Sequence, residues 1–153
     1  FEKLKKELPE ETEPGKFGEK LLSKIANKFQ IVQGLIFIKN QDNEKFSIKS
    51  TYAYYSDEMP EDFTFGEGLT GQVAKNKKPL NIKEIPEGYI KILSGLGEGV
   101  PSNLLIFPVI DKNNEVIGIV ELASFINFEK GMEDQFIEFF KSISEKFITA
   151  QKQ

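Results

Sequence analysis

The sequence predicts an α+β fold built on a largely antiparallel sheet. Three observations predict it. Amphipathic helical segments stand near both ends, β-rich segments pair across short polar turns, and regular strand–helix–strand crossovers are missing. A chain of 153 residues is long enough for one domain with a real core.

Residues 1–8, FEKLKKEL, put Phe1, Leu4 and Leu8 on one helical face and read as the end of a longer helix. PEETEPG, residues 9–15, breaks that helix and reads as a linker, so the domain proper is expected over 16–153. From 16 to 29, Phe17, Leu21, Leu22, Ile25, Ala26 and Phe29 follow helical spacing. IVQGLIFIKN (31–40) and EKFSIKSTYAYY (44–55) are rich in β-branched and aromatic residues and are separated by a polar turn, which makes a hairpin. In its second arm Phe46, Ile48, Tyr52 and Tyr54 keep approximate period-two register. A turn and a short helix over roughly 69–76 come next, then a brief strand in PLNIKEI. Residues 87–102 are Gly-rich and irregular, with one helical turn expected around 89–93. NLLIFPVID and EVIGIVELASF flank DKNN as a second hairpin, with a bulge or an unpaired donor position expected at Pro108. A long helix is expected over 129–150, where Phe136, Phe140, Ile143, Phe147 and Ala150 form an apolar stripe.

Composition narrows the function. The chain has no Cys, His, Trp or Arg, and all 20 of its cationic residues are Lys. Without Cys there is no disulfide, thiol nucleophile or thioether-linked pigment. Without His the usual general base near neutral pH and the usual haem or zinc ligand are gone. Without Arg the bidentate fork for phosphate and guanine is gone. A net charge of −4 disfavours nucleic acid and anionic lipid. No apolar run is long enough to span a bilayer, so no membrane insertion is expected of this stretch. The first residue is Phe rather than Met, so the chain is expected to be part of a longer protein.

Gly66, Gly68 and Gly71 in FGEGLTGQVAKNKKPLNI spell the GxGxxG spacing of a dinucleotide turn. That fingerprint needs a buried strand before it and a long helix after it. Here PEDFTF precedes it and the helix is short, so the glycines are expected to turn the chain and admit close packing, with Thr70 or a neighbour capping the helix.

GEGLTGQVAKNKKPLNI, followed by a variable loop, SNLLIFPVIDKNNEVIGIVELASF and a terminal helix, resembles the GAF domain family over residues 16–152. The resemblance implies a GAF-like (profilin-like) central antiparallel sheet. The N- and C-terminal helices would cover one face; the short helix and variable loop would cover the other, enclosing a small-molecule pocket in many members. It also implies an effector domain in the same chain, such as a histidine kinase of a two-component system, and a cytoplasmic setting. Bilin attachment and the methionine sulfoxide reductase chemistry of the family use Cys, and haem-binding members commonly use His; this chain has neither. NKF at 27–29 lacks the rest of the family's cyclic-nucleotide motif. The expected role is therefore noncovalent sensing of a small organic ligand, with no catalysis, no metal and no resident cofactor. The alternative is a ligand-free GAF-fold dimerisation and relay module. A homodimer through the terminal helices is expected because FEKLKKEL and the Phe136, Phe140, Ile143 and Phe147 stripe together carry more apolar surface than one sheet face need cover.

Pocket residues must face away from the two long helices. In VIGIVELASF, Ile117, Ile119, Glu121, Ala123 and Phe125 alternate with Val116, Gly118, Val120, Leu122 and Ser124. Gly118 would suit the close approach of a long helix, which puts Glu121 on the pocket side. A carboxylate in an apolar strand must find a partner or be forced neutral. Tyr52 and Tyr54 offer hydroxyls from the second strand, and Tyr89 and Ser102 flank the variable loop, although strand tyrosines are more often packing and loop residues more often surface. KNKK (75–78) reads as a solvated helix end and SDEMPEDF (56–63) as a solvated acidic loop.

Overall fold

The computed structural model describes residues 1–85, 89, 92–94, 97–99 and 101–148. A short helix α1 (Glu2–Lys6) and the amphipathic α2 (Pro14–Phe29) lead into strands β1 (Ile31–Lys39) and β2 (Phe46–Tyr52). Helix α3 (Gly68–Asn76), strand β3 (Leu80–Ile82) and two three-residue strands, β4 (Ile92–Ser94) and β5 (Gly97–Gly99), follow. Strands β6 (Asn103–Ile110) and β7 (Val116–Ser124), helix α4 (Met132–Ser142) and a 3-10 turn (Ser144–Phe147) complete the order. Where a helical turn is expected around 89–93, the chain instead pairs β4 with β5 antiparallel. The rest of that turn, residues 90 and 91, lies outside the described residues, as does Ala150.

The main sheet runs β2-β1-β7-β6-β3, and every pairing in it is antiparallel. The central strand β7 is therefore buried on both faces. Pro108 pairs opposite Ile119, and the ladder slips beside it, between Val109 and Ile110. That slip corrects the simple alternation along β7. Val116 packs on the face carrying Ile119 and Ala123, while Ile117 joins Val120 and Leu122 on the other. Gly118 likewise has a different role from the one expected. A Cβ there would stand 2.7 Å from the carbonyl oxygen of Phe37, so the close neighbour is strand β1 and not a helix.

Helices α2 and α4 cover one face. Phe17, Leu21, Leu22 and Ile25 of α2 and Phe136 and Phe140 of α4 meet Ile36, Phe107 and Val120 of the sheet in one apolar cluster. The carboxylate of Glu13 starts α2 by accepting from the backbone N–H groups of Gly15 and Lys16 at 2.9 and 2.8 Å. These two bonds hold the Glu13 carboxyl below its ordinary range. Ser50 of β2 donates to the Gly15 carbonyl at 2.7 Å and ties the helix start to the sheet.

The C-terminal expectation needs two corrections. The helix is shorter than 129–150, because α4 stops at Ser142 and tightens into the 3-10 turn. The Phe136, Phe140, Ile143 and Phe147 stripe is not an exposed surface but is buried in the helix-side core. Residues 1–8 are also more than a linker's lead-in. Leu4 is buried in the same cluster, and the Phe1 ring lies 5.0 Å from both Phe29 and Phe136.

The glycine turn has a structural account. Gly66 and Gly68 take φ of 85° and 69°, in the left-handed region that glycine enters without strain. Glu67 occupies the N-cap position of α3 with no side-chain cap bond, so Thr70, inside the helix, is not the cap. Gly66 N–H donates to the Gly71 carbonyl at 2.7 Å and closes the turn against the helix. A Cβ on Gly71 would sit 2.5 Å from the Thr64 carbonyl oxygen and 3.1 Å from two backbone atoms of Gly66. Gly71→Ala must therefore push backbone aside, and a loss of about 1–3 kcal/mol is expected in urea unfolding. An unchanged midpoint would contradict this packing.

Candidate functional site

The second sheet face carries Leu35, Phe37, Ile106, Ile119 and Ala123 under α3 and the 53–70 segment. Between them a cavity of about 760 Å³ opens, within the size range of small-molecule sites. Its floor is Gln33, Leu35 and Phe37 of β1 with Glu121 of β7; its walls come from residues 54–56, 60–63 and 67–70, and Tyr89.

Glu121 is 7% exposed and stands between Leu35 of β1 and Ile106 of β6. The Tyr89 hydroxyl donates to its Oε1 at 2.9 Å. Burial among apolar neighbours pushes the Glu121 carboxyl up to about 7, and the Tyr89 bond partly opposes that rise. Burial of the hydroxyl end and the adjacent carboxylate raise the Tyr89 phenol well above its ordinary value. The phenol therefore stays a donor at any physiological pH, although Tyr89 as a whole is 40% exposed. The second carboxyl oxygen of Glu121 has no donor among the described residues.

The expected site residues separate into two groups. Glu121, Tyr89 and Tyr54 all line the cavity. Tyr54 donates its hydroxyl to the Glu58 carbonyl at 2.8 Å, which shapes the wall. Tyr52 does not share its face. It packs against the helix-side cluster, because Ala53 between the two tyrosines adopts φ of 55° and reverses the alternation. Ser102 is also outside the cavity lining. Its hydroxyl donates to the Phe125 carbonyl at 2.5 Å beyond the end of β7.

Two contributors were not legible as such. Gln33 is 5% exposed, shares the cavity floor and has no side-chain hydrogen-bond partner among the described residues. Its signal was a lone polar side chain in IVQGLIFI, two residues before Leu35 and four before Phe37. The acidic 56–63 stretch is not merely a solvated loop, because Ser56, Pro60, Glu61, Asp62 and Phe63 build one cavity wall. Phe63 fixes it there by exchanging backbone hydrogen bonds with Phe46 at 2.7 and 3.1 Å and stacking its ring on the Phe46 ring. Lys77, within KNKK, takes the left-handed C-cap of α3 and donates to the Asn114 carbonyl at 2.9 Å.

A family model for the GAF domain matches residues 11–147. The chain belongs to the GAF domain family. As a GAF domain it resembles, with 18% identity and a TM-score of 0.78, the GAF domain of a phosphoenolpyruvate-protein phosphotransferase from Coxiella burnetii, with 99% of this chain and 92% of that one covered. The corresponding domain from Acinetobacter gives 14% identity, a TM-score of 0.77 and the same coverage. A free methionine-R-sulfoxide reductase from Neisseria meningitidis, solved with its substrate, gives 12% identity and a TM-score of 0.73 over 99% of this GAF domain and 87% of the reductase. These likenesses establish the fold. No curated protein matches the chain in sequence. No helix among the described residues is long and apolar enough to cross a membrane.

Proposed function

We propose that this GAF domain is the small-molecule sensing module of a larger cytoplasmic signalling protein, of the histidine kinase type, and that it binds its ligand noncovalently without transforming it. One observation carries the reading: the buried Glu121 carboxyl faces a cavity of ligand size and is bonded there by Tyr89, which belongs to the loop between β3 and β6. A ligand that engages Glu121 competes with or reinforces the Tyr89 bond, so occupancy is coupled to the position of that loop. Family membership supports a regulatory role, and two of the similar structures are GAF domains of larger phosphotransferases. The lack of Cys and His supports binding over catalysis. Burial of the Phe136–Phe147 stripe weakens the alternative of a ligand-free dimerisation relay.

Mass spectrometry of the protein purified under nondenaturing conditions tests the proposal. The expected spectrum shows the chain plus a small organic mass that is released on denaturation. A bare chain from several growth conditions, with no thermal shift across a metabolite panel, would refute the sensing role.

A further inference from the structure

We propose that the cavity selects an organic cation, a small amine with an apolar body, whose ammonium group sits between Glu121 and Gln33. The inference rests on the ligand-sensing reading above and names the ligand class.

Charge around the cavity points this way. Four acidic residues, Glu61, Asp62, Glu67 and Glu121, are among those lining it, whereas none of the described residues lining it is a lysine. This asymmetry is not inherited from the whole chain, which carries 20 Lys against 24 acids. An anionic ligand would meet the buried Glu121 carboxyl with no lysine among the described lining residues to balance its charge.

The second observation is independent of the acids. Gln33 is 5% exposed and its amide has no hydrogen-bond partner among the described residues. No buried side-chain polar atom among those residues is cut off from both partner and solvent, so the amide opens into the cavity it lines. A buried amide held ready in this way calls for a polar partner from a ligand. Its oxygen and the free Glu121 oxygen are both acceptors, and an ammonium supplies three donors and a balancing charge. The rings of Phe37, Tyr54 and Phe63 on the same cavity surface suit the apolar body, and aromatic faces attract a cation further.

The test uses three matched probes: phenethylamine, 2-phenylethanol and phenylacetate. Binding is followed by NMR shifts of the Tyr54 and Tyr89 ring signals. Phenethylamine is expected to bind at least tenfold more tightly than 2-phenylethanol, and phenylacetate is expected to bind most weakly. Glu121→Gln should weaken the amine about tenfold and the alcohol much less, narrowing the gap between the two. Gln33→Leu, which leaves the carboxyl intact, should also weaken the amine selectively. Equal affinities, or preference for phenylacetate, would overturn the cation assignment while leaving a ligand-binding cavity in place. Absence of tyrosine shifts with all three would overturn the amine site itself, whereas the co-purified mass decides separately whether any ligand is sensed.

Discussion

Phe136→Ala is expected to lower the unfolding free energy by about 3–5 kcal/mol, the usual range for truncating a fully buried phenylalanine. The Phe136 ring is completely buried and meets three parts of the chain at once. Its centroid lies 5.0 Å from that of Phe1, 5.1 Å from Phe29 and 5.4 Å from Phe107. The N-terminal segment, the end of α2 and strand β6 all lose contact when the ring is removed. Rigid strands and a helix end surround the space, so it cannot collapse fully. Urea unfolding at 25 °C should show a lowered midpoint with an unchanged slope. A loss below about 1 kcal/mol would mean that α4 is not seated on the sheet as described.

Glu121→Gln is expected to remove a pH dependence of stability and to stabilise the empty domain above neutrality. The folded-state value of about 7 lies above the ordinary 4.5. Between these values the folded protein holds more protons than the unfolded chain, so stability falls as pH rises through the window. It is highest below 4.5 and levels off above about 7. At about 1.4 kcal/mol per pH unit, the full span amounts to roughly 3 kcal/mol. Glutamine keeps the shape and the Tyr89 acceptor but cannot ionise, so the variant should gain over the wild type by up to that amount at pH 8 and little at pH 4.5. Denaturant midpoints at pH 4.5, 6 and 8 check this. A wild-type-to-variant difference that does not change with pH would contradict the burial of the carboxyl. The prediction opposes the ligand effect: the same substitution that stabilises the empty domain weakens its binding of an amine, a trade of stability for function at a binding site.

The sequence by itself determined the elements whose signal is local. Periodicity in 16–29 marked α2, β-branched runs marked β1, β2, β6 and β7, and the motif order identified the GAF fold. A carboxylate inside VIGIVELASF was enough to single out Glu121, because the cost of burying an unpartnered charge is readable from its neighbours. Parity along a strand was not readable wherever the backbone breaks its alternation. The left-handed Ala53 sends Tyr52 to the helix side and Tyr54 to the cavity, and the slip beside Ile110 exchanges Val116 and Ile117. Neither residue type requires such a conformation, so the sequence does not announce it. Only tertiary structure decided where the apolar stripe of α4 goes, since Phe1 and Leu4 come from the far end of the chain to cover it. It also decided that an acidic loop becomes a cavity wall, because Phe63 pairs with Phe46 across 17 positions of sequence. Local spacing encodes which face of an element is apolar; long-range packing decides what that face meets.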